Sequence, residues 1–133
     1  MKKIITLVFL ALLLLAWNWR LQEPRSDKFN ILATTTHMGS VVSDLVKGTD
    51  LTVKTLFPAG VDPHLYTLTA TDLELIKSAD LIIANGLYLE ASMYEGLKLI
   101  EDQLNILFVG DSLPEQSLIQ VATVDPKYDP HFW

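Results

Sequence analysis

The chain contains no cysteine. That absence excludes a disulfide framework, a thiolate metal site, a cysteine nucleophile and a lipid tether through sulfur. Any metal ion held by this protein is held by nitrogen and oxygen. Basic residues are also scarce, with 10 Lys and Arg against 16 Asp and Glu and a net charge of -6 over 133 residues. From Leu21 onward the balance is 7 against 16, a net charge of -9. The basic patch needed to grip phosphates is missing, so nucleic acid is excluded as a partner, whereas an acidic surface suits the attraction of cations. The sequence has no G-x-S-x-G elbow, no Walker loop and no H-E-x-x-H pair, which leaves an enzymatic reading without a foundation. Repeats of solenoid type and low-complexity tracts are absent as well.

What is present begins with a short basic start, Met1-Lys2-Lys3, followed by an almost unbroken aliphatic run from Ile4 to Trp17. The run is short for a bilayer span and has the length of a signal-peptide hydrophobic region, so export is expected. Ala16 is followed by Trp17, Asn18, Trp19 and Arg20, a poor processing site, which keeps an uncleaved N-terminal membrane anchor as an alternative to cleavage. Residues 1–20 therefore read as leader or anchor, and residues 21–29, polar and containing proline, as a linker.

Beyond the linker, Asn30 to Thr35 reads as a strand, and Met38, Val41, Val42, Leu45 and Val46 fall on one helical face that Gly48 ends. Leu51 to Phe57 alternates as an edge strand does. Leu81 to Asn85 and Ile106 to Val109 are continuous apolar runs suited to buried parallel strands. Thr69 with Asp72 has the form of a helix N-cap leading into Leu73, Ile76 and Lys77, and Leu89, Met93, Leu97 and Ile100 form a second apolar stripe. Alternation of strand and helix predicts an α/β fold with a four-stranded parallel sheet and helices on both faces. Met38 and Met93 sit on core-facing stripes and are expected to pack, not to act as sulfur ligands.

Only three histidines occur, and two stand in the same frame: Asp62-Pro63-His64 and Asp129-Pro130-His131. Each follows a predicted strand on the carboxyl-end rim, where open parallel sheets collect ligands. Proline fixes its own φ and biases the preceding aspartate toward extended backbone, restraining where each imidazole points. Without cysteine, a neutral imidazole is the commonest available metal ligand, so His64 and His131 are the candidate metal ligands. Either alone reads as a solvated turn residue; the repeat reverses that balance. Asp62 and Asp129 are expected to start turns, with orientation of the imidazole a weaker role. Tyr66, Phe132 and Trp133 are read as packing residues, with shielding of the site as the alternative. His37, in the first turn of the first helix behind a Thr35 or Thr36 cap, is expected to be structural.

These residues resemble a known family, the extracytoplasmic solute-binding proteins of bacterial zinc and manganese ABC importers, also called solute-binding protein family 9. ILATTT resembles its first strand, GVDPHLYTLTATDLELIKSADLIIANGLYLE its first-histidine loop with the following helix, strand and NGL-x-LE segment, and DPHFW its second-histidine motif. The resemblance implies two α/β lobes joined by a long helix, with two metal ligands from each lobe. It implies that His64 and His131 are the ligands of the first lobe, that Zn2+ or Mn2+ is the transported ion, and that a membrane permease receives it. Residues 30–133 are then the N-terminal metal-binding lobe of a longer, periplasmic or otherwise extracytoplasmic protein that is a receptor and not an enzyme. An exported adhesion or interaction module with incidental histidines is the alternative, and a metal-dependent hydrolase is a remote third, lacking a general base beside the ligands.

Overall fold

The computed structural model describes residues 9–14, 28–123 and 127–133. Most of the expected leader and linker lies outside the described residues; within it, residues 9–14 are helical with exposed side chains. Among the described residues no helix is long and apolar enough to cross a membrane.

Strand β1 (Asn30–Ala33) leads into helix α1 (Thr36–Leu45), followed by β2 (Thr52–Thr55), α2 (Ala70–Ser78), β3 (Leu81–Ala84), α3 (Ser92–Leu99) and β4 (Ile106–Phe108). All strand pairs are parallel and the sheet order is β2-β1-β3-β4. The chain thus runs from β1 to one edge, then crosses back to β3 on the far side of β1. That reversal puts the topological switch point between the carboxyl ends of β1 and β3.

Strand alternation sends side chains to the two faces in turn. Leu32, Ile82, Ala84 and Phe108 pack with Ile76 of α2 and with Met93 and Leu97 of α3, while Ile31 and Ile83 pack on the other face with Val42 of α1. The fold is the α/β layer expected, with helices on both faces. Met38 and Met93 are buried, as packing requires.

The helix starts follow local chemistry. Thr35 caps α1 by accepting from the Met38 N–H at 3.2 Å. Thr69 and Asp72 form a reciprocal capping box on α2, the Thr69 N–H donating to Asp72 Oδ2 at 2.7 Å.

Two apolar patterns correct the sequence reading. Val41 and Leu45 are 54% and 78% exposed, so the buried stripe of α1 is Met38, Gly39 and Val42. Gly39 lies directly against Thr55, where a Cβ would collide with the Thr55 hydroxyl, and this close approach turns the helix so that Val41 and Leu45 face away. In β4, Leu107 is 44% exposed, on a strand that occupies a sheet edge. A third departure is smaller: Leu89 is buried as expected, but it lies in the turn before α3.

Candidate metal centre

The rim above the switch point is built from three loops and a returning arm. After β1, Thr34 and Thr35 are buried and lead to His37 in the first turn of α1. Phe57 follows β2, buried and packed on the Tyr66 ring at 4.7 Å between centroids, and these two aromatics bracket the segment that carries His64. The Tyr66 hydroxyl donates to Asp72 Oδ2 at 2.8 Å, linking the bracket to the α2 capping box. Burial pushes the Asp72 carboxyl up, but donors from Thr69 and Tyr66 outweigh it and hold the group below the usual value.

The loop after β3 contains a feature the sequence reading missed. Glu90 is 1% exposed, and its carboxylate accepts from the Thr34 hydroxyl at 2.6 Å, the Asn85 N–H at 2.6 Å and the Gly86 N–H at 3.1 Å. It ties the carboxyl ends of β1 and β3 together. Burial pushes its pKa up, with the Thr34 hydroxyl and the backbone N–H groups of Asn85, Glu90 and Gly86 pulling the other way. The loop is strained: Leu87, Tyr88 and Ala91 have φ of 52°, 63° and 43°. Asp111 supports this conformation by accepting from the Leu87 N–H at 2.9 Å and from the Tyr94 hydroxyl at 2.6 Å. The nearest sequence signal was the Asn85-Gly86 dipeptide, a turn former at a strand end, with a glutamate four residues on.

Beyond β4 the chain returns across the rim. Gln120 and Tyr128 form an antiparallel bridge, and the Asp129 N–H donates to the Ile119 carbonyl at 2.8 Å. This arm brings the second Asp-Pro-His to the first. The imidazoles of His64 and His131 stand 5.6 Å apart between centroids, at 63° to one another. Two imidazoles sharing one tetrahedral ion, with metal–nitrogen bonds of about 2.0–2.1 Å, have centroids about 5 Å apart. The observed spacing is near that value.

Both tripeptides form the same local turn, with the aspartate Oδ1 accepting from the histidine N–H at 2.9 Å in each. The second adds a contact the first lacks, Asp129 Oδ1 to His131 Nδ1 at 2.8 Å. A proton on Nδ1 satisfies that contact and leaves the Nε2 lone pair available to an ion. Hydrogen bonds from the His131 backbone and then from its ring hold the Asp129 carboxyl below its usual value. His37 does not join the pair but stacks on Trp133 at 4.8 Å, and Trp133 in turn sets its ring edge against His131 at 5.3 Å. The cleft beside them has a volume of about 380 Å³, walled by Thr35, His37, Phe57, Leu89 and Trp133. Phe132 packs against Trp133. Among the described residues no group of three or more His, Asp or Glu side chains is arranged around one ion position.

Comparison with known proteins gives a consistent result. The family model for the periplasmic component A of zinc-uptake complexes matches residues 31–133. The zinc-binding protein TroA of Treponema pallidum is 34% identical over 113 residues, covering 84% of this chain and 36% of that protein. The manganese-binding lipoprotein MntA of Bacillus subtilis is 32% identical over 107 residues, covering 80% of this chain and 34% of that protein. The solved structure of the periplasmic zinc-binding protein TroA superimposes with a TM-score of 0.70 at 34% identity, over 78% of this chain and 36% of that one. This chain spans about a third of the length of these relatives.

Proposed function

We propose a function from the premise that this chain belongs to the family of periplasmic A components of zinc-uptake complexes: it captures a divalent transition-metal ion outside the cytoplasm and hands it to the permease of an ABC importer. His64 and His131 are the ligands, and the ion is cargo, Zn2+ or Mn2+. Residues 30–133 act as one lobe of the receptor, and the apolar N-terminus serves as leader or anchor. Nothing is chemically transformed; the protein binds and releases.

The observation that carries this reading is the meeting of two imidazoles from identical tripeptides across the switch point. The names of this chain's relatives include zinc, manganese and iron. Imidazole nitrogen and the general affinity order of divalent ions favour zinc over manganese at this pair. Two nitrogens leave a tetrahedral ion two positions to fill with water or further oxygen and nitrogen donors. Because a ligating imidazole must be neutral, capture releases protons and weakens on acidification.

The test is calorimetric titration of the chain with Zn2+ and Mn2+, beside a His64→Ala, His131→Ala double variant. One ion per chain, with heat that vanishes in the double variant while far-UV circular dichroism is unchanged, is the expected result. Equal binding by both proteins would remove the histidine pair from the mechanism.

A further inference from the structure

We infer that Asn85, seated by Glu90, is the positioning residue that sets His131 beside His64. Asn85 directly follows β3 and is fully buried. Its backbone N–H is fixed by the Glu90 carboxylate at 2.6 Å. Its side-chain amide donates two hydrogen bonds, to the Gly86 carbonyl and to the Pro130 carbonyl, each at 3.0 Å. Pro130 is the residue immediately before His131, so the second bond fastens the ligand-bearing arm to the centre of the sheet across a gap of 45 residues.

The orientation of this amide is not interchangeable. Turning it over would set Oδ1 against two carbonyl oxygens, so the network selects the donor-outward arrangement. That arrangement leaves Oδ1 buried without a hydrogen-bond partner among the described residues. A buried polar atom left unsatisfied is unfavourable, and such sites persist where another requirement overrides them. The requirement here is the pair of NH donors. Proline supplies the matching acceptor: it has no N–H, so its carbonyl is the group that can be tethered next to His131. Glu90 acts one step earlier, joining Thr34 of the β1 end to Asn85 and Gly86 of the β3 end, and thereby fixing the base on which the amide stands.

The inference rests on the proposed reading of His64 and His131 as one site, but its first test needs no metal. In the unaltered full chain, the Asn85 side-chain amide protons are expected to exchange slowly with solvent by NMR, and fast exchange would overturn the tether whatever any variant does. Asn85→Asp keeps the shape and removes both donors; Asn85→Leu keeps the volume and removes all polarity. In each, the cross-relaxation between the His64 and His131 ring protons is expected to disappear and amide exchange at His131, Phe132 and Trp133 to accelerate, with β1 and β3 protection retained. Persistence of the ring contact in a folded variant would overturn the proposal. Zinc affinity is expected to fall about 10–100-fold, the range for losing a group that orients a ligand. If the rings separate as expected but the unaltered chain binds no zinc, positioning stands and metal capture falls; unchanged zinc affinity with the rings still together removes the positioning role alone.

Discussion

The two Asp-Pro-His segments share a sequence and a local turn, yet the molecule holds them by different means. The first is pinned at both ends by core side chains: Phe57, 3% exposed, and Tyr66, which packs on it and reaches the α2 cap through Asp72. The second is suspended, its arm tied to Asn85 through one backbone carbonyl and its ring set by Asp129 and Trp133. The tripeptide therefore encodes a turn, while the placement of each imidazole is encoded elsewhere. The physical consequence is that His64 shares the stability of the core and His131 depends on a local network.

Phe57→Ala breaks this contrast most severely. Truncating a buried phenylalanine costs about 3–5 kcal/mol, so freeing the first segment is expected to destabilise the whole lobe, read as a lowered urea midpoint with an unchanged slope. Mutating the Asn85 tether is expected to leave that midpoint comparatively high. Similar midpoint losses in the two variants would show that the second segment is also part of the cooperative core.

Next in size is the cap that supports Tyr66. Thr69→Ala removes half of the capping box and is expected to cost about 1–2 kcal/mol, measured by the same unfolding curves. The linked pH effect has a definite sign. Asp72 is held below its usual 3.8 by its donors, so between these values the unfolded chain takes up more protons than the folded one. The stabilisation is complete above the unfolded value and is lost as pH falls through the lower folded value. Asp72→Asn is expected to flatten that acid loss; an acid limb identical to the unaltered chain's would place the titration elsewhere.

The contrast also explains what could be read from the sequence. Strand and helix positions followed from periodicity, and Thr69 with Asp72 announced its cap, because these depend on neighbours three or four residues away. The convergence of His64 and His131 was legible as two rim loops on a parallel sheet. Glu90 was not: Asn85-Gly86 marked a turn, but the burial of Glu90 depends on positive φ at Leu87, Tyr88 and Ala91, none of them glycine, so nothing in the local pattern pointed the carboxylate inward. The Asn85 tether to Pro130 was equally hidden, since a contact across 45 residues leaves no local pattern. Val41 and Leu45 satisfied the helical period but not the packing, because Gly39 against Thr55 decides which way α1 rolls.

The finest discrimination comes from making the same conservative change in both segments. Asp129→Asn keeps an oxygen for the turn to the His131 N–H but replaces a charged acceptor at Nδ1 with a neutral one, weakening the interaction that, under the proposed function, leaves Nε2 for the ion. Zinc affinity is then expected to fall about threefold to tenfold, at or below the low end of effects seen for groups that orient a ligand. Asp62→Asn keeps the equivalent turn on His64, and because Asp62 bonds the His64 backbone N–H, affinity is expected to change less than about twofold on the same argument. Calorimetry of the two variants side by side reads the asymmetry directly. Equal losses would mean that both carboxylates orient their imidazoles once the ion is bound, and that the difference between the suspended and the pinned histidine ends at the backbone.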